Sequence, residues 1–223
     1  MFIYSMHLPR HKENGFTIIE LLIASVAFSL IIILVTVLII QVSKVYYKGI
    51  IVSNTQNAAR NIVLDIEKSI QFNTDLPNGL SYYKTGQADW YCIGNQLLAY
   101  KTDTQFNVSS QPGINNIGLA YSLAPICPST VNGLNPYIAL FAFSRGSSNY
   151  QQLLGNDMSV QYLNISQVGL QNLYHIQLSV AYGNTSLLAS PINNQYFCKT
   201  QIGDQFCATS NINAYVSNIV GVN

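Results

Sequence analysis

The chain has 223 residues and a mass of 24.6 kDa, which fits one domain or one domain with an appendage. Charged residues make up only 9% of it, against roughly 25% in a typical soluble chain, which excludes a charge-extended disordered protein. Ten basic and nine acidic residues nearly cancel, so the overall charge does not favour nucleic acid as a partner. The mean hydropathy of +0.22 indicates a membrane segment or an apolar surface.

A continuous apolar run extends from Phe16 to Ile40 and contains one charged residue, Glu20. At about 1.5 Å per helical residue it is long enough to cross a hydrocarbon core of about 30 Å. It is apolar on every face, unlike a core helix of a soluble protein, and no small-residue cleavage site closes it. We therefore predict a membrane helix. Glu20 is a functional candidate, since a carboxylate within a membrane is costly; the alternative is a protonated or snorkelling side chain near the interface.

The orientation of this helix is weakly specified by charge, because Arg10 and Lys12 precede it while Lys44 and Lys48 follow it. Long segments after a membrane helix translocate largely regardless of charge. All four cysteines lie in that segment, which favours an oxidising compartment. We expect a single-pass membrane protein whose C-terminal part lies outside the cytoplasm.

The junction between the basic N-terminal stretch and the apolar run has a family resemblance. Gly15 is followed by Phe16, and Glu20 is the fifth residue from Phe16, at the start of the sequence FTIIELLIA. This arrangement resembles the processing motif of type IV prepilins and pseudopilins. The resemblance covers about residues 10–40, with weaker support to about residue 72.

The resemblance implies a mechanism and a set of partners. A prepilin peptidase would cut after Gly15 on the cytoplasmic face and methylate the amine of Phe16. The helix would then leave the lipid bilayer for a cell-surface filament of pilin subunits, built on an inner-membrane assembly platform, and Glu20 would pair with the N-terminal amine of a neighbouring subunit. Many major pilins carry a proline where this chain has Val37 and its neighbours, so the uninterrupted helix is more similar to minor pilins and pseudopilins.

Between Gln41 and Phe72 the apolar residues change to helical spacing. They form one stripe that we expect to pack on a globular head: Ala59, Ile62, Val63, Ile66 and Ile70. The segment 73–79 contains Pro77 and an Asn-Gly pair, which favour the end of the helix.

From Leu80 onward the pattern is typical of β-strands. Trp90–Ile93 and Gln96–Tyr100, separated by two residues, predict a hairpin, and Tyr137–Phe143 predicts a short buried strand. The alternation over Tyr174–Tyr182 predicts a strand with one buried face and places His175 on the polar face. A single histidine there is interpreted as a surface side chain rather than a catalyst.

These elements predict an α+β fold, with a long N-terminal helix packed on a C-terminal antiparallel β-sheet head, as in the pilin fold. We expect a leader peptide at residues 1–15, a membrane and filament-core helix at 16–40, an amphipathic continuation at 41–75 and a globular head at 76–223. The head is rich in Asn, Gln, Ser, Thr and Tyr. We favour a neutral packing surface within a polymer, and the alternative is an adhesive face.

Four cysteines lie in the head, at Cys92, Cys127, Cys198 and Cys207, and allow three pairings. The short spacing between Cys198 and Cys207 favours a local disulfide and leaves Cys92 with Cys127. A zinc site is the rival, but the chain lacks the closely spaced ligand pairs that zinc sites use. Free buried thiols are the third alternative.

The chain contains no G-x-S-x-G, H-E-x-x-H or Walker-type motif, so we expect no enzymatic activity and no metal or cofactor. We predict a structural subunit of a type IV pilus-like filament, more specifically a minor pilin. One alternative is a pseudopilin of a type II secretion system or a competence pilus. The other is an uncleaved membrane-anchored domain that binds a ligand, which would retain the residues before Phe16.

Overall fold

The computed structural model describes residues 15–73, 80–84, 89–94, 96–104, 118–122, 150–169, 172–200 and 203–220. The chain divides into two compact units, Met1–Lys44 and Val45–Asn223. The helix α1 spans Ile18–Gln71. The strands are β1 (Leu80–Lys84), β2 (Asp89–Ile93), β3 (Gln96–Tyr100), β4 (Leu119–Ser122), β5 (Tyr150–Gln152), β6 (Met158–Gln167), β7 (Leu173–Tyr182) and β8 (Ala208–Ser217).

The first unit contains the N-terminal part of α1, from Ile18 to Lys44. Its large apolar side chains between Ile18 and Ile40 are 47–86% exposed, so no side of this segment packs within the unit. Among the described residues, α1 is the one helix long and apolar enough to cross a membrane.

The second unit contains the strands, which form two antiparallel sheets. The larger sheet has the order β1-β2-β3-β4-β5, and the smaller sheet has the order β6-β7-β8. In the smaller sheet, β7 pairs along its whole length with β8, from Leu173 opposite Ser217 to Tyr182 opposite Ala208. A parallel bridge between Thr102 and Val160 connects the segment after β3 to β6.

The predicted hairpin is confirmed by the pairing of β2 with β3, in which Ile93 lies opposite Gln96. Gly94 follows β2 with a φ of +60°, a conformation that glycine adopts without a steric penalty. The predicted alternating strand is also confirmed, as β7. The predicted strand Tyr137–Phe143 lies outside the described residues.

The core of the second unit lies between the C-terminal part of α1 and the two sheets. All five residues of the predicted helical stripe are buried, and Ile62, Ile66 and Ile70 are 0% exposed. They belong to one apolar cluster with residues of both sheets, among them Leu98 and Ile176. The predicted α+β fold, a long helix against antiparallel sheets, is therefore confirmed.

The C-terminal end of α1 is held by the segment that follows β8. The Asn218 side-chain amide donates hydrogen bonds to the carbonyl oxygens of Ile70 and Asn73, each at 2.7 Å. The backbone N–H of Ile219 donates to the carbonyl of Gln71 at 3.2 Å. Carbonyl groups that a helix end leaves without intrahelical partners are satisfied in this way.

A disulfide joins Cys198 to Cys207 with their Cα atoms 5.9 Å apart. It closes the segment between β7 and β8 immediately before β8 begins. Cys92 is also disulfide-bonded. Its expected partner, Cys127, lies outside the described residues.

Candidate assembly site at the helix N-terminus

The first turn of α1 is closed by reciprocal hydrogen bonds between Thr17 and Glu20. The helix begins at Ile18, so Thr17 occupies the N-cap position and Glu20 is the third helical residue. The backbone N–H and the hydroxyl of Thr17 donate to Glu20 Oε2 at 3.0 and 2.8 Å, and the backbone N–H of Glu20 lies 3.4 Å from Thr17 Oγ1. This is a capping box, which satisfies N–H groups that the start of a helix would otherwise leave without partners.

The same geometry places a negative charge where the helix dipole favours one. Only one carboxylate oxygen of Glu20 is engaged, because Oε1 accepts no hydrogen bond from any described residue. Glu20 also forms no ion pair within the described part of the chain. The capping box therefore fixes the direction of the carboxylate, and no cation among the described residues compensates its charge.

The Gly15–Phe16 peptide bond lies immediately before the capping box. No described atom lies within 4 Å of the position that a Cβ at residue 15 would occupy. Phe16 is 80% exposed. Packing within the described chain thus gives no reason for glycine at residue 15.

Four hydroxyl side chains interrupt the apolar part of α1, and each has a partner within the helix. Their oxygens donate to backbone carbonyls three or four residues earlier, all at 2.8 Å, from Ser25, Ser29, Thr36 and Ser43. Such back-bonding satisfies the hydroxyl without water. Glu20 is therefore the one side chain between Ile18 and Ile40 whose charge an apolar environment would leave uncompensated.

Glu20 is a functional residue predicted from the sequence, whereas Thr17 was not predicted. The signal was present, since Thr-x-x-Glu ahead of an apolar run is a recognised N-terminal pattern of helices. His175, which the sequence placed on a polar strand face, stacks on Tyr215 with ring centroids 4.4 Å apart. The described residues contain no group of three or more His, Cys, Asp or Glu side chains arranged to hold a metal ion.

Comparison with protein families gives one match, which includes this site. Residues 10–36 match the model of the prokaryotic N-terminal methylation motif. Comparisons with curated proteins and with solved structures give no significant match. The matched range contains Gly15, Phe16, Thr17 and Glu20, and the helix and sheets have the arrangement of the pilin fold. The chain therefore carries the N-terminal methylation motif that is characteristic of type IV prepilins and pseudopilins.

Proposed function

We propose that this protein is a structural subunit, of the minor-pilin kind, of a type IV pilus-like filament. The observation that carries the proposal is the Thr17–Glu20 capping box, which orients a carboxylate without an ion-pair partner among the described residues at the start of a segment that is otherwise apolar up to Ile40. It lies within the matched methylation motif. The size of the chain and the absence of proline near Val37 support the minor-pilin kind.

The first step is proteolytic processing. A prepilin peptidase cleaves between Gly15 and Phe16, removes residues 1–15 and methylates the new amine. The open space around Gly15 and the exposure of Phe16 support this step, because a protease needs an accessible peptide bond. A glycine that packing does not require is explained by recognition in the peptidase.

Before assembly, the part of α1 up to Ile40 lies in the lipid bilayer, with the head outside the cytoplasm. The satisfied hydroxyls and the apolar surface of the segment to Ile40 suit hydrocarbon. Tyr46 and Tyr47 follow, 67% and 61% exposed, and Lys44 and Lys48 flank them. Tyrosine and lysine at the end of an apolar helix are typical of the membrane–water interface.

Assembly transfers the same apolar surface from lipid to the core of a helical filament. Both surroundings are apolar, so burial of the aliphatic side chains does not by itself distinguish them. The Glu20 carboxylate does distinguish them, because only the filament brings the amine of a neighbouring subunit to it. A charge-assisted hydrogen bond to that amine would fix the axial register of the two subunits.

Processing can be tested with the full chain in membranes that contain or lack a prepilin peptidase. We expect a mass decrease equal to residues 1–15, less the added methyl group, only when the peptidase is present. Gly15→Val should abolish the cleavage. Gly49→Ala is the matched control, because residue 49 also has open space around its Cβ position and lies in α1 far from the cut. Unchanged mass in the wild type with active peptidase would contradict the proposal and favour an uncleaved anchor.

A further inference from the structure

One end of the second unit carries exposed aromatic and apolar side chains, which we call the aromatic end. Its members on α1 are Tyr46, Tyr47 and Ile50, all exposed. Its member beside the three-stranded sheet is Phe206, 53% exposed, which closely precedes β8. Large apolar side chains that are exposed together mark a contact with another apolar or amphipathic surface.

The strand pairing brings these residues to the same end of the unit. Tyr182 is the last residue of β7 and pairs with the first residue of β8, so Phe206 lies just beyond this end of the sheet. Gly183 lies against it, because a Cβ at Gly183 would be 2.2 Å from the Phe206 carbonyl oxygen. The Tyr182 side chain packs on the core, where burial raises its pKa and the nearby Asp157 and Tyr47 raise it further. Tyr182 therefore has both Tyr47 and Phe206 as neighbours.

The aromatic end follows the apolar run of α1 at a short distance along the helix. Tyr47 lies seven residues after Ile40 within α1, which is about 10 Å along the axis. The headgroup layer on each side of the hydrocarbon core is about 5–8 Å thick. When the run to Ile40 spans the core, Tyr46 and Tyr47 thus lie at the outer boundary of the headgroups.

We propose that the aromatic end rests on the headgroup layer of the lipid bilayer before assembly. Aromatic side chains are enriched at this boundary, where an apolar ring and a polar tip are both accommodated. The bilayer is the occupant because the aromatic end continues, along α1, from the segment that spans it. The inference rests on the membrane placement of that segment in the proposed function, and it extends the membrane contact from α1 to Phe206 of the head.

The charges beside the aromatic end have both signs. Lys44 and Lys48 lie one turn apart on α1. Asp157 lies next to the end of β7, where its carbonyl accepts from the Gly183 N–H at 3.0 Å. Surfaces that recognise anionic lipid instead carry clusters of basic residues. We therefore expect contact with neutral, zwitterionic phospholipid and little dependence on lipid charge.

The test uses the full chain in nanodiscs of neutral phospholipid, one chain per disc, in which part of the lipid carries a nitroxide on the headgroup. The nitroxide quenches tryptophan fluorescence at short range. Trp90, the one tryptophan of the chain, is 6% exposed, so the wild type supplies the baseline. Phe206→Trp reports on the aromatic end. Tyr215→Trp is the matched control, because Tyr215 is 63% exposed and lies about 23 Å along β8 from the first residue of that strand.

We expect the nitroxide to quench the added fluorescence of Phe206→Trp and not that of Tyr215→Trp. Tyr46→Ser in the Phe206→Trp chain should weaken the contact about fivefold, because interfacial burial of one aromatic ring is lost. Asn57→Ser, at an exposed position further along α1, should leave the quenching unchanged. Exchange of part of the neutral lipid for an anionic one should also leave it unchanged. Thermal unfolding of each variant would show that the head is still folded.

The outcomes separate this inference from the proposed function. Equal quenching of the two reporters, or none of either, in a chain that enters the discs would overturn the inference and leave the membrane placement of α1 intact. Quenching of Phe206→Trp that requires anionic lipid would overturn the neutral contact. Quenching that is absent with one chain per disc and present with several would assign the aromatic end to another subunit. A wild-type chain that does not enter the discs would contradict the proposed function and this inference with it.

Discussion

A pair of substitutions can separate the capping role of Glu20 from its proposed intersubunit role. Glu20→Gln removes the negative charge but keeps an amide oxygen that can accept from Thr17. Thr17→Val removes the hydroxyl, and with it the hydrogen bonds of 2.8 and 3.4 Å, but keeps the charge of Glu20. If Glu20 serves intersubunit pairing, the first substitution should be far more harmful to assembly than the second.

The losses of filament incorporation expected for Glu20→Gln and Thr17→Val differ by more than an order of magnitude. Loss of a threonine N-cap reduces helix stability by an amount that corresponds to a factor of about five in the equilibrium constant for helix formation. Removal of one partner from an ion pair in an apolar environment leaves the other charge uncompensated. The free-energy cost corresponds to a factor of about one hundred or more in the equilibrium constant for assembly. Glu20→Gln should therefore nearly abolish incorporation, whereas Thr17→Val should reduce it a few-fold.

The assay compares the amount of chain in sheared filaments with the amount left in the inner membrane. Both variants must first be shown by mass spectrometry to start at Phe16, so that defects in cleavage are separated from defects in assembly. Wild-type incorporation by Glu20→Gln would refute the pairing argument. Equal losses in the two variants would show that Glu20 acts by capping its own helix.

Three further predictions concern the head and are measured by unfolding of the full chain in micelles. Ile66→Ala should destabilise the head by about 2–5 kcal/mol because Ile66 is fully buried, whereas Leu64→Ala, on the exposed side of α1, should change it by less than about 0.5 kcal/mol. Replacing both Cys198 and Cys207 by Ser should cost about 2–3 kcal/mol from the loop-closure entropy of this short loop. Burial raises the pKa of Tyr91 from 10.0 to about 12, so the Tyr91 hydroxyl keeps its proton to higher pH in the folded state than in the unfolded state. The free energy of unfolding should therefore fall as the pH rises from 10 to 12. This fall should be smaller in Tyr91→Phe.

Each of these predictions has a result that would contradict it. Similar losses for Ile66→Ala and Leu64→Ala would mean that the helical stripe does not form the core contact. Unfolding that the Ser replacements of Cys198 and Cys207 leave unchanged would show that this disulfide does not restrict the unfolded chain. A pH dependence that Tyr91→Phe leaves unchanged would assign the alkaline transition to other groups.

The elements with strong local patterns were predictable from the sequence. Spacing alone identified the buried face of α1, and alternation identified β7, because burial of one face imposes the period of the helix or the strand. The strand β8 was not predicted. Its inward positions include Ser210 and Ala214, whose small or polar side chains weaken the alternation.

Features that depend on distant contacts could not be predicted. The division into two sheets follows from which strands pair, and the segment after β7 is held by hydrogen bonds between the Tyr196 backbone and the Asn211 side chain of β8. At the helix N-terminus, Glu20 could be predicted from the sequence because a charged side chain within an apolar segment is energetically unfavourable. The role of Thr17 in orienting Glu20 follows from the local Thr-x-x-Glu pattern of a capping box.

The central claim, that α1 enters a filament after processing, is tested most directly by the mass of the N-terminus of the native protein. Intact mass and N-terminal peptide mass spectrometry should show a chain that begins at methylated Phe16. A chain that retains Met1 to Gly15 in cells with an active prepilin peptidase would contradict the account and leave a membrane-anchored head as the working description.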